Sequence, residues 1–252
     1  KNMYKCQFQR FKLNYLAYFA LAMLFACSPG GGDNAKKEIL LQGKTMGTTY
    51  SVKLVSTDEI VRENDLYNEI SALLKLINKQ MSTYDPESEL SKFNQLNSTD
   101  PVTVSSNLKA VVDEALRIGV LSQGSLDVTA GPIVNLWGFG PEGRPEKVPS
   151  DEELATQMQR VGLEKLFAHG NLIGKTKADI YVDLSSIAKG FAADKIAELL
   201  NDKKITDYVV EVGGELRLNG AKADMSEWRL GIEKPVTDER VLQLLIEPGS
   251  NG

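Results

Sequence analysis

Cysteine and histidine are almost missing from this sequence, which has 2 cysteines and one histidine among 252 residues. Cys6 lies in a segment that we expect to be removed, and Cys27 is a candidate for lipid attachment. That interpretation leaves no thiol for a disulfide, a metal site or a nucleophile. His169 lies in a polar loop without a catalytic partner to orient it, so we interpret it as a surface residue.

An excess of positive charge is also missing. The chain has 29 basic and 34 acidic residues, and residues 1–26 contain four of the basic ones and none of the acidic ones. The remainder has 25 basic against 34 acidic residues, a formal charge of −9. Because no basic patch survives in the sequence, we expect no nucleic-acid partner.

One apolar run is long, but it is too short to be a comfortable membrane span. Residues 1–26 begin with basic residues and continue into the apolar stretch 13–26. This order of a basic segment and a short apolar segment is typical of a secretion signal. We therefore leave residues 1–26 out of the fold.

The end of the apolar stretch resembles a bacterial lipobox. Leu24, Phe25 and Ala26 directly precede Cys27, whose acylation would make it the mature N-terminus. Phe25 is less usual there than a small residue, so an ordinary signal peptide cleaved nearby stays an alternative. We divide the chain into a lipoprotein signal peptide over 1–26, a flexible tether over 27–38 and one domain over 39–252.

Hydrophobic periodicity predicts alternating helices and strands, without an internal repeat or a coiled-coil heptad. The predicted helices lie over 66–81, from Ser105 or Ser106 to Gly124, from the capping box of Ser150 and Glu153 onward, and over 186–200. The predicted strands lie over 47–54, 208–212, 216–218, 228–232 and 241–246. The glycine-rich stretch between the second and third helices is either a long ordered loop or a loop flanking a short helix. The close spacing of the last four strands favours an antiparallel meander, and the class is α+β.

The stretch VDLSSIAKG predicts an anion site at the start of the last helix. A strand ending at Val182 leaves Asp183 and the residues after it at a helix N-terminus, where free N–H groups and the helix dipole favour phosphate or carboxylate ligands. Lys189 adds a positive charge, and Gly190 lets a ligand or another backbone approach closely. The alternative is an ordinary Asp or Ser N-cap with a solvated lysine.

Five motifs occur in one order along the chain. They are MGT at 46–48, STYDPESELSKFN at 82–94, GSLDVTAGPIVNLWGF at 124–139, DLSSIAKGF at 183–191 and VEVGG at 210–214. Together they closely resemble the motifs of the FAD:protein FMN transferases, the ApbE family. The resemblance implies an α+β fold with a T-fold-related, ApbE-like core, a smaller α/β lobe and a flavin cleft between them.

The resemblance also implies roles for single residues. The residues expected to contact FAD are Met46, Tyr84, Ser125, Leu126, Asp127, Asp183 and Lys189. The main-chain carbonyl of Ser186 would be a ligand of Mg²⁺, and Glu215 would be structural. No residue is assigned as the catalytic one.

The implied reaction is Mg²⁺-dependent transfer of FMN from FAD to a threonine or serine hydroxyl of a client protein, with release of AMP. The client would be a subunit of a membrane redox complex. The protein itself would be lipid-anchored in a bacterial cell envelope and face the periplasm or the exterior. The alternatives are an FAD pyrophosphatase that releases FMN and AMP, and a flavin-binding lipoprotein without catalysis.

The family motif H-x-[IV]-D-P-x-T-G, followed by D-A-x-[AS]-T, does not occur within these residues. In the family this later segment supplies a histidine and the side-chain ligands of Mg²⁺. We expect the 252 residues to be part of a longer enzyme, and a chain without this segment to keep only flavin binding.

Overall fold

The computed structural model describes residues 36–57, 63–141, 143, 148–235 and 241–249. The predicted signal peptide and Cys27 lie outside the described residues. None of the helices found in those ranges has both the length and the apolar character that crossing a bilayer requires. Helices and strands are mixed along the chain, which confirms the α+β class.

The described helices number six, with one further 3₁₀ turn. They are α1 (Glu63–Met81), α2 (Glu89–Gln95), α3 (Ser106–Leu121), α4 (Gly131–Leu136), α5 (Asp151–Met158) and α6 (Ala188–Asp202), and the 3₁₀ turn is Leu163–Lys165. The strands are β1 (Lys37–Thr45), β2 (Thr48–Ser56), β3 (Val102–Thr103), β4 (Leu166–His169), β5 (Leu172–Lys175), β6 (Tyr208–Val212), β7 (Glu215–Asn219), β8 (Leu230–Glu233) and β9 (Leu242–Ile246). The predicted helix over 66–81 is confirmed, and the glycine-rich stretch contains the short helix α4.

The central sheet has four antiparallel strands in the order β1-β2-β6-β7. A second sheet has the order β3-β5-β4, and β8 and β9 form a two-stranded antiparallel sheet. The predicted meander is therefore right for the β6–β7 hairpin and wrong for the last two strands, which form a separate hairpin. β1 begins at Lys37, inside the range predicted as tether, because its pairing with β2 extends to Lys37, opposite Ser56.

One face of the central sheet packs against α1 and α6. Tyr50, Val52 and Leu54 of β2 alternate toward this face and are buried. The helical spacing on α1 predicted six core residues. Five of them are buried, namely Leu66, Ile70, Leu74, Ile77 and Met81, and the sixth, Leu73, is partly buried. Each such side chain contributes about 1.5–3 kcal/mol when fully buried, so this layer holds the sheet in place.

Helix α6 packs through small residues. The sequence predicted Ile187, Phe191, Ile196 and Leu199 or Leu200 on its buried face. Ile196 and Leu200 are fully buried, whereas Ile187, Phe191 and Leu199 are only partly buried. The other buried residues of the helix are the alanines Ala188, Ala192, Ala193 and Ala197. The alanines let the helix approach the sheet closely, which brings its N-terminus to the edge of β6 and β7.

Two helix N-termini follow their sequence signals. The Ser105 hydroxyl accepts a hydrogen bond from the Leu108 N–H at 3.3 Å, so Ser105 is the N-cap of α3. Ser150 and Glu153 form the predicted capping box of α5, each side chain accepting from the other residue's backbone N–H. Both caps satisfy N–H groups that the helix itself leaves unpaired.

A buried lysine ties α2 to the segment that leads to Asp183. Lys175 of β5 is only 1% exposed, and its Nζ lies 3.3 Å from the Phe93 carbonyl oxygen and 3.5 Å from that of Ile180. The ammonium also lies 5.3 Å from the centre of the Phe93 ring. Because burial disfavours the charged form, the pKa of Lys175 is lowered.

Asn94 holds the next residues of the same segment. Its side-chain amide donates to the Val182 carbonyl at 2.9 Å, and its Oδ1 accepts from the Val182 N–H at 2.8 Å. The predicted strand ending at Val182 is wrong, because this side chain takes the place of a neighbouring strand. The segment is extended and held on both sides before it reaches Asp183.

We predict that Lys175 makes stability rise with pH in the alkaline range. Because its pKa is lowered in the folded protein, the unfolded chain binds this proton more tightly, and unfolding becomes less favourable as pH rises toward 10.5. Urea unfolding at several pH values gives the free energies of unfolding of wild type and Lys175→Met. The wild-type value minus the variant value should increase with pH by at most about 1.4 kcal/mol per pH unit. Lys53→Met, which changes an exposed lysine of β2, should keep the wild-type slope. Parallel pH profiles for wild type and Lys175→Met would contradict the prediction.

Candidate functional site

Two tight turns lie side by side at one end of the central sheet. Met46 and Gly47 join β1 to β2 with φ of 48° and 73°, and Gly213 and Gly214 join β6 to β7 with φ of 59° and 100°. Because β2 pairs with β6, the turns are neighbours, and the Gly213 N–H donates to the Thr49 carbonyl at 3.0 Å. Met46 adopts a left-handed conformation that is unfavourable for a residue with a side chain by about 1–2 kcal/mol, which makes this turn a candidate for function.

The N-terminus of α6 reaches across the second turn. Lys189 extends over Gly213, and its Nζ lies 2.6 Å from Oε1 of Glu215. A Cβ on Gly213 would lie 2.7 Å from Cγ2 of Thr48 and 2.8 Å from Cδ of Lys189. Only glycine therefore allows the lysine stem and the first turn to approach this backbone so closely.

Helix α6 starts without a side-chain cap. Its N-cap residue is Ile187, so the alternative of an ordinary Asp or Ser N-cap is wrong, and the helix begins at Ala188, two residues after the predicted start. Asp183 instead accepts hydrogen bonds from the N–H and the hydroxyl of Ser185. Its carboxylate is therefore bonded within a turn that precedes the helix. Ser186 is exposed between that turn and the helix, whose uncapped N-terminus favours an anion.

A network of serines shapes the loop that follows α1. The Ser82 hydroxyl accepts from the N–H groups of Tyr84 and Asp85, each at 3.1 Å. The Ser82 carbonyl accepts from the hydroxyls of Ser88 and Ser91, which are both buried. These motif serines therefore fix the backbone that presents Tyr84.

Tyr84 projects from this loop and is 64% exposed. Its hydroxyl donates to the Phe139 carbonyl at 2.9 Å, which links the loop to the segment after α4. A Cβ on Gly140 would lie 1.7 Å from Oδ1 of Asn135, so a larger residue there would displace the Asn135 side chain of α4. The hydrogen bond limits how the exposed ring can move.

The segment of Ser125, Leu126 and Asp127 meets the segment of Asp183 through the backbone. Oδ1 of Asp127 accepts from the N–H and the hydroxyl of Thr129, at 2.8 and 2.6 Å. The Asp183 N–H donates to the Val128 carbonyl at 2.8 Å. Both acids thus form local turns in adjacent segments.

A cleft of about 730 Å³ opens between these elements, a volume typical of small-molecule sites. Its lining residues are Met46, Gly47, Asn78, Met81, Ser82, Thr83, Tyr84, Asp85, Ser185, Ala188 and Lys189. Of the residues predicted to bind FAD, the cleft brings together Met46, Tyr84 and Lys189. Asp183 and Ser186 flank its lining, whereas Ser125, Leu126 and Asp127 are outside it. His169, at the exposed end of β4 in the second sheet, is also outside it.

Sequence reasoning missed several of these residues. Asn78 and Met81 lie one turn apart at the end of α1, where helical spacing identified Met81 only as a core residue. The spacing of Asn78 from Met81 places both on one face of the helix, and this was the available signal. The pairing of Lys189 with Glu215 had no local signal, since the partners lie on different elements.

Comparisons with known proteins agree on one family. A family model described as the ApbE family matches residues 46–249. An FAD:protein FMN transferase of Vibrio cholerae is 47% identical over 236 residues, which are 94% of this chain and 70% of that protein. One of Haemophilus influenzae is 43% identical over 90% of this chain and 67% of that protein. This chain is thus similar to about two thirds of each relative's length.

The solved structures agree with the sequence relatives. The structure of the flavin transferase ApbE from Vibrio cholerae matches with a TM-score of 0.80 at 48% identity, covering 85% of this chain and 70% of that one. This likeness confirms the ApbE-like α+β fold that the motifs implied.

We predict that Gly213→Ala destabilises the protein more than Gly47→Ala does. Both glycines have a left-handed backbone, but an added Cβ meets Thr48 and Lys189 at position 213 and nothing within 4 Å at position 47. Gly47→Ala should lower the free energy of unfolding by about 1 kcal/mol, and Gly213→Ala by a further 1–3 kcal/mol, roughly, from crowding. Equal losses in urea unfolding would show that the turn relaxes and does not hold Lys189 in place.

Proposed function

The chain belongs to the ApbE family, and from this premise we propose that it transfers FMN from FAD to a hydroxyl of a client protein. The observation that carries the proposal is the cleft in which Met46, Tyr84 and Lys189 converge beside the uncapped N-terminus of α6. An apolar and aromatic part beside a cationic part suits a ligand that has a flat ring at one end and phosphates at the other.

The lining offers a suitable surface for each part of FAD. The exposed Tyr84 ring offers a stacking surface for an aromatic ring system, and the thioether of Met46 is a polarizable partner for such a ring. The N-terminus of α6 and the Lys189 ammonium offer hydrogen-bond donors to the phosphates. In this arrangement the ring and the phosphates of FAD contact different elements, so FAD is held at both ends.

The proposed reaction breaks the pyrophosphate of FAD. The oxygen of a threonine or serine hydroxyl on the client attacks the phosphorus of the FMN half, the bond from that phosphorus to the bridging oxygen breaks, and AMP leaves with the bridging oxygen and the electron pair of that bond. The hydroxyl proton passes to the departing AMP phosphate or to solvent. Positioning and electrostatic stabilisation supply most of the catalysis in phosphoryl transfer. The donors at α6 would stabilise the charge that develops on the phosphates.

We also propose that Mg²⁺ takes part, with the Ser186 carbonyl as one ligand. Within the described ranges no three His, Cys, Asp or Glu side chains cluster as a metal cage would need. These residues alone do not fit a complete magnesium site. Mg²⁺ is often held by substrate phosphates and few protein groups, which supports its entry together with FAD.

The lipobox-like sequence supports a proposal for the cellular location of the protein. We propose a lipid anchor on Cys27, a location in the bacterial cell envelope, and a client in a membrane redox complex. The basic and apolar composition of residues 1–26 supports export. The mass of the mature N-terminal peptide tests the anchor, since an acylated Cys27 supports it and an unmodified N-terminus contradicts it.

We predict that the protein with FAD, Mg²⁺ and a threonine-containing client peptide yields a flavinylated peptide and AMP in equal amounts. Mass spectrometry of the peptide and chromatography of AMP measure the two products, and a chelator tests the metal. AMP and free FMN forming at the same rate without peptide labelling would indicate the pyrophosphatase. FAD binding without either product would indicate a flavin-binding protein.

Two variants of Tyr84 test whether the cleft binds FAD. Tyr84→Ala should weaken FAD binding by roughly tenfold or more, because a base–aromatic stack contributes about 1–3 kcal/mol. Tyr84→Phe keeps the ring and loses only the hydrogen bond to Phe139, so its affinity should fall by no more than about threefold. Equal affinities for wild type and both variants would place FAD elsewhere.

A further inference from the structure

The ion pair between Lys189 and Glu215 places a carboxylate beside the cationic end of the cleft. Lys189 lines the cleft, and Oε1 of Glu215 lies 2.6 Å from its Nζ. Both side chains are only partly exposed, so solvent screens them less than a surface pair. Oε2 of Glu215 is buried and has no hydrogen-bond partner. Among the described residues, Lys189 is therefore the hydrogen-bonding counterpart of this carboxylate, and the pair as a whole is electrically neutral.

We propose that Glu215 is an affinity-determining residue, whose charge offsets that of Lys189 and weakens the hold of the cleft on phosphate groups. The inference rests on the proposed function, because it takes the phosphates of FAD to lie near Lys189. The family resemblance gave Glu215 a structural role, whereas its contact with Lys189, a residue of the cleft lining, gives it an electrostatic one.

The direction of the effect does not depend on how Lys189 meets the ligand. If Lys189 donates to a phosphate while it stays bound to Glu215, the carboxylate lies roughly 5 Å from the bound anion and repels it. If Lys189 leaves Glu215 for the phosphate, the carboxylate loses its ion pair and stays partly buried, which is unfavourable. In both cases the negative charge lowers affinity for an anionic ligand.

Charge outweighs positioning in the variant that tests the idea. Glu215→Gln keeps an oxygen that can accept from the Lys189 ammonium, so most of the ordering of the lysine is retained. What it removes is a full negative charge at short range in a partly buried site, which changes anion affinity by about tenfold to a hundredfold. The net result is tighter binding of phosphate-bearing flavins.

The experiment titrates wild type and Glu215→Gln with FAD and with riboflavin, following flavin fluorescence at several salt concentrations. We expect FAD affinity to rise about tenfold and to depend more steeply on salt, because an unpaired cation then faces the phosphates. Riboflavin, which lacks phosphate, should bind both proteins equally. An unchanged or lower FAD affinity, or an equal change for riboflavin, would overturn the inference.

Two further variants control for charge and for packing. Glu198 and Lys195 of α6 also form an ion pair at 2.6 Å, and neither residue lines the cleft. Glu198→Gln removes the negative charge of this pair and should leave FAD affinity unchanged. Glu215→Asp keeps the negative charge and should keep FAD affinity within about threefold of wild type. Tighter binding in Glu198→Gln as well would assign the effect to net charge and refute a local role for Glu215.

The wild-type titration separates the two hypotheses. If the wild-type protein binds no FAD at all, the proposed function fails, and the inference fails with it. If it binds FAD but Glu215→Gln binds no more tightly, only the inference about Glu215 is wrong.

Discussion

The pairing of β2 with β6 is the constraint on which the site depends. Tyr50 pairs with Val212 across this ladder, which places the turn of Met46 and the turn of Gly213 at the same end of the sheet. A slip of one residue would send Tyr50, Val52 and Leu54 to the opposite face, so burial enforces the register. The cleft is assembled from distant parts of the chain because the hydrophobic core fixes this alignment.

Much of what the motifs contain serves backbone geometry. Ser82 accepts hydrogen bonds that order the loop after α1, and Asn94 makes the hydrogen bonds to Val182 that a neighbouring strand would make. Gly213 leaves space for the side-chain stem of Lys189. None of these contacts requires a ligand. The side chains left to face the cleft, such as Tyr84 and Lys189, are few, and they are held by the others.

Local physics made part of the fold predictable. The α1 periodicity and the caps at Ser105 and Ser150 depend on neighbours within a few residues, and the sequence alone identified them. The start of α6 was predicted two residues too early, at 186, because Asp183 and Ser185 bond to each other in a turn that precedes the helix. Short strands such as β3–β5 escaped notice, since their pairing is non-local and a two- to four-residue segment has little periodicity.

The candidate site was predictable only as a set of residue types, through the family resemblance. Met46, Tyr84 and Lys189 do converge, but no spacing rule indicates that Lys189 is already paired with Glu215. Because of that pair, Lys189 presents to the cleft one half of a neutral ion pair and not a free cation. In the proposed reaction FAD is a substrate that must give up AMP at each turnover. A site with an unpaired lysine would bind phosphate groups more tightly and would retain AMP. A carboxylate beside the lysine is therefore consistent with transfer and release.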